Sequence, residues 1–67
     1  MVYSNLAAEL RRKNITQKTV GDLIGCSEKT VFNKMNGNTE FTVPEAIAIN
    51  TNLLPEFKLT YLFTRTA

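Results

Sequence analysis

Apolar positions along this chain recur at helical spacing in short stretches, with polar turn signals between them. Leu6, Ala7 and Leu10 stand at i, i+1 and i+4 and share one face of a first helix, which opens near Ser4 as its N-cap. Arg11, Arg12 and Lys13 crowd the last turn, where cations suit the negative end of the helix dipole. Asn14 tolerates the left-handed conformation and ends the helix, and apolar Ile15 leads into the next cap. Thr16 caps a second helix over 17–24, with Val20, Leu23 and Ile24 on its buried face. Gly21 in the middle costs about 1 kcal/mol relative to alanine, which makes sense where another helix crosses closely. Gly25 ends that helix, and only Cys26 precedes Ser27, the cap of a third. So short a turn makes the two helices cross steeply. Val31 and Met35 are the inward pair of the third helix, and Asn36-Gly37 stops it.

Thr42-Val43-Pro44-Glu45 is a capping box with proline in the first turn, where its missing N–H is harmless. It opens a fourth helix over 43–51, with Ala46, Ile47 and Ile49 inward. A last helix begins at Pro55 and carries Phe57, Leu59, Leu62 and Phe63. Residues 59–64 suit a strand equally well, being rich in aromatic and β-branched types. The expectation is one all-α domain over residues 1–67, with no repeat, linker or low-complexity segment.

Composition narrows the chemistry. One cysteine and no histidine exclude an internal disulfide and cysteine/histidine zinc sites. Cys26 reads as a small buried hydrophobe, since no histidine is present to activate it. Clustered carboxylates, a glycine-rich phosphate loop and a nucleophile–base pair are not visible, so an enzyme, a small-molecule substrate and a cofactor are not expected. No apolar run is long enough to span a membrane and no signal peptide opens the chain, which makes the cytoplasm the expected compartment.

Net charge is only +2, but it is uneven. Through Asn38, six basic residues (Arg11, Arg12, Lys13, Lys18, Lys29, Lys34) face three acids (Glu9, Asp22, Glu28), a balance of +3. From Thr39 on, Lys58 and Arg65 face Glu40, Glu45 and Glu56, a balance of −1. A polyanion would meet the first half, unless the charges are simply a solvated helical surface.

Residues 16–37 resemble the helix-turn-helix of phage repressors and Cro proteins, the XRE-type family. The resemblance is carried by Thr16-Gln17 opening the second helix, small Gly21, Gly25 at the turn, Ser27 as cap, Val31 in the core and Asn36-Gly37 at the close. From Asn5 to Phe63 the chain follows that family's five-helix, lambda-repressor-like layout. The resemblance implies a bacterial host, location at the nucleoid, and a sequence-specific regulator binding a pseudo-palindromic double-stranded operator as a homodimer. Tyr61, Leu62 and Phe63 are candidates for the dimer surface, with core closure the alternative, above all for Leu62. An antitoxin-like protein with a protein partner uses the same fold. Its usual sign is a tail that wraps the toxin, and only four residues follow Phe63.

With Val31 and Met35 inward, the opposite face of the third helix comprises Glu28, Lys29, Phe32, Asn33 and, at its end, Asn36. Lys29 can donate to guanine, Asn33 can pair bidentately with adenine, and Glu28 can accept from cytosine. Phe32 can press on a thymine methyl. Each has a structural alternative: the helix dipole for Glu28, a phosphate for Lys29, a neighbouring side chain for Phe32. Phosphate contacts are expected from Thr16 and Gln17 and from Ser27, at two helix starts. Asn36, Gly37, Asn38 and Thr39 supply a following loop, and Lys13, Lys18 and Lys34 add charge. Two positions depart from the family pattern. Leu10 and Met35 stand where many relatives place a buried arginine–glutamate pair, and an apolar pair avoids its desolvation cost. Lys34 stands where an aliphatic residue is usual; either its stem packs while the ammonium reaches a phosphate, or the helix is slightly rotated.

Overall fold

The computed structural model describes residues 2–65, which form five helices and no strand. They are α1 (Ser4–Arg12), α2 (Gln17–Ile24), α3 (Glu28–Met35), α4 (Val43–Leu53) and α5 (Leu59–Leu62). Local signals set most boundaries. The Thr16 hydroxyl accepts from the Thr19 N–H at 3.2 Å and the Ser27 hydroxyl from the Thr30 N–H at 3.1 Å. At α4 both halves of the capping box are made: Glu45 N–H to the Thr42 hydroxyl, 3.2 Å, and Thr42 N–H to the Glu45 carboxylate, 3.0 Å. Asn14 turns the chain after α1 with a φ of 58°.

Five expectations are corrected. Ser4 is the first helical residue rather than the cap; Tyr3 stands at the cap without a side-chain bond, because its ring belongs to the core. Ile47 points outward, being two positions and hence about 200° from buried Ile49 on an α-helix. Ile49 in the core and half-buried Leu53, at i and i+4, carry the packing of α4, with Ala46 half-buried. That helix runs to Leu53, and Pro55 does not start the next one. The Asn50 amide donates to the carbonyls of Leu54 (3.0 Å) and Phe57 (2.8 Å), which holds residues 54–57 in a turn. The strand alternative for residues 59–64 also falls, since 59–62 are helical and Phe63 is the C-cap.

Leu6, Val20, Val31, Ile49, Leu54 and Leu62 are fully buried and make one core, with Leu10 and Met35 beside them. Leu62 therefore closes the core and is no part of a surface. Tyr3, Phe41 and Phe63 pack edge to face, with ring centroids 5.3 to 5.9 Å apart. Of the three dimer candidates only Tyr61 is substantially exposed, and it is engaged. Its hydroxyl donates to Glu9 at 2.8 Å, and that bond pushes the phenol pKa up. Glu9 is buried, and Arg12 also bonds it at 3.1 Å. Together with Asn5, whose amide donates to the Tyr61 carbonyl at 3.0 Å, these contacts clamp α5 onto α1. No helix of the described residues is long and apolar enough to cross a membrane.

Candidate nucleic-acid interface

The α2–α3 pair is fixed by backbone chemistry at the turn. Gly25 adopts a φ of 76°, the left-handed region where glycine carries no Cβ penalty. The Cys26 N–H returns to the Gly21 carbonyl at 2.9 Å. A Cβ on Gly21 would collide with the Cys26 carbonyl oxygen and come within 3.4 Å of Val31 Cγ2. Gly21 is thus the point of close approach that its mid-helix position foretells. The Thr16 and Ser27 caps leave the N–H groups of the next two residues without intrahelical acceptors at each helix start.

Helix α3 buries Val31 and Met35 and turns the other way Glu28, Lys29 and Phe32, all exposed, with half-buried Asn33 and Asn36 beside them. Phe32 is 46% exposed, so a large part of its ring stays open to a partner. A carboxylate, an ammonium, an aromatic ring and a carboxamide therefore share one side of a short, capped helix. That set can offer donors, acceptors and an apolar face to a partner.

The polar residues expected to hold phosphates lie in three places. Thr16, half-buried Gln17 and exposed Lys18 stand at the start of α2, with Lys18 3.5 Å from Asp22 in an exposed pair of little energetic weight. Ser27 stands at the start of α3. Asn36 and exposed Asn38 stand past its end, where the Asn38 N–H closes onto the Asn33 carbonyl at 2.9 Å.

Lys34 does not belong with them. It is buried, and its ammonium lies 3.1 Å from the Glu45 carboxylate and 3.0 Å from the Glu40 carbonyl, over the Phe41 ring. The stem follows α3 inward, so the charge is spent on α4 and its approach loop rather than presented to a phosphate. Burial works to raise the Glu45 pKa, but the Thr42 N–H and the Lys34 ammonium outweigh it and hold the carboxyl below its ordinary value. Lys13 is also committed, to Glu56 and to the Leu53 carbonyl at the end of α4.

Sequence reasoning missed Arg11. It is exposed and lines the same groove as Thr16 and Gln17, together with Leu10 and Met35. Its signal was Asn14, which reverses the chain and sets the last turn of α1 beside the start of α2. Leu10 and Met35 both lie buried in that apolar floor. No family model matches this chain, and no curated protein or solved structure is found to be similar to it.

Proposed function

We propose that this protein is a sequence-specific DNA-binding regulator of the phage repressor or Cro kind, acting in the bacterial cytoplasm at the nucleoid. In this reading the five helices are a lambda-repressor-like domain and α2–α3 its helix-turn-helix. The observation that carries it is the split of α3: Val31 and Met35 lock one side into the core, and Glu28, Lys29, Phe32 and Asn33 occupy the other. An α-helix so displayed fits the major groove, with its N-terminal residues deepest. Asn33 reads adenine, Lys29 reads guanine or grips a phosphate, Phe32 meets a thymine methyl, and Glu28 accepts from cytosine. The starts of α2 and α3 and the loop at Asn36 and Asn38 hold the backbone on either side, with Lys18 and Arg11 adding charge. Two copies on adjacent half-sites give enough contacts for specific binding.

Binding selection from genomic fragments, followed by gel shifts with Asn33→Ala and Lys29→Ala, tests this. Asn33→Ala weakens the selected site by about tenfold or more and relaxes preference at one base pair. Lys29→Ala weakens binding, uniformly across sequences if it holds a phosphate. Undiminished binding by both variants overturns the proposal.

A further inference from the structure

A groove of about 440 Å³ opens between the end of α1, the start of α2 and the end of α3. Leu10 and Met35 form its floor, Ala7 and Ile15 line it, and Arg11 and Gln17 stand among its polar residues. That volume lies within the range of roughly 300–1,000 Å³ common for small-molecule sites. Its charge is one-sided: an apolar floor and wall are rimmed by Asn14, Thr16, Gln17 and the Arg11 guanidinium, with no carboxylate in the lining. The guanidinium is also uncommitted. Of three successive cations, Arg12 is paired with Glu9 and Lys13 with Glu56, whereas Arg11 has no ion pair among the described residues.

We propose that this groove binds a small organic anion with an apolar body, its carbons on half-buried Ala7 and Ile15 above the floor of Leu10 and Met35 and its charge on Arg11. The guanidinium fork matches the oxygens of a carboxylate, sulfonate or phosphate. This goes beyond DNA binding and does not depend on it. One consequence does rest on that reading: a ligand seated beside Thr16 and Gln17 covers a phosphate seat, so ligand and DNA compete.

The test titrates 8-anilinonaphthalene-1-sulfonate into the full chain and follows amide NMR shifts and probe fluorescence. Saturable one-to-one binding is expected, with shifts concentrated at residues 7–17 and 35. Arg11→Gln weakens it about tenfold, the loss of one charge-assisted contact. Ala7→Phe fills the groove and abolishes it. Lys58→Gln, an exposed cation outside the groove, binds like the original chain. If Ala7→Phe does not fold, the comparison of Arg11→Gln with Lys58→Gln decides alone. Shifts scattered over the surface, equal losses in those two variants, or no saturation below millimolar probe overturn the site. On selected DNA, the probe displaces the original chain but not Ala7→Phe. Groove binding without displacement removes the competition and leaves the site standing, and failure of all DNA binding strikes the regulator reading alone.

Discussion

Lys34 carries a cation into the interior, where three partners offset its desolvation: the Glu45 carboxylate, the Glu40 carbonyl and the Phe41 ring. Removing it leaves Glu45 with its capping bond and a weak contact from the Cys26 thiol at 4.0 Å. Lys34→Ala is expected to lose about 2 kcal/mol at pH 7, measured by urea unfolding. The pH dependence follows from the direction of the Glu45 shift. Its pKa in the folded chain lies below the ordinary 4.5, so the ionised carboxylate stabilises the fold above that value. The contribution is lost as pH falls below 4.5 and through the folded pKa, and the gap between Lys34→Ala and the original chain narrows on that acid side. Residues whose partners lie within one turn were legible in the sequence: Thr16, Ser27 and Thr42 each cap a neighbour three positions on. Lys34 and Glu9 were not, because the Glu45 and Tyr61 that hold them come from other helices and only the packed fold delivers them.

Among elements, the joint of α2 and α3 is the most constrained. Alanine normally favours a helix over glycine by about 1 kcal/mol. At position 21 the added carbon meets a backbone carbonyl that cannot rotate away, and the clash outweighs the propensity gain. Gly21→Ala is therefore expected to destabilise by about 2 kcal/mol in a chemical melt and, under the proposed regulator function, to lower DNA affinity by shifting α3. Any gain in stability contradicts the close crossing. This joint was readable because glycine, cap and short turn stand together in sequence. The end of the chain was less so: Pro55 looks like a helix start, but the Asn50 amide takes the nearby carbonyls. Ile47 shows a related limit, since an apolar residue on a helix need not share the face of its neighbour.

At the scale of the whole molecule, charge separates the two halves, and ion pairs then engage several cations, of which Lys34 alone is buried among the described residues. With Lys34, Lys13 and Arg12 paired, Arg11 and Lys29, joined by Lys18 in its weak exposed pair with Asp22, are the cations of the first half most open to a polyanion. If a dimer neutralises six phosphates, log affinity falls with log salt at a slope of about −5, read from binding between 50 and 200 mM salt. A slope near zero contradicts phosphate-led docking. The clamp of α5 on α1 has a further consequence for how the chain comes apart. A four-residue helix has almost no stability of its own. Here Leu62 sits in the same core as Leu6, while Tyr61 is bonded to Glu9 and Phe63 lies against Tyr3. The segment cannot fray without opening that core, so the amide of Leu62, bonded to the Lys58 carbonyl, exchanges with solvent only as fast as the molecule unfolds globally.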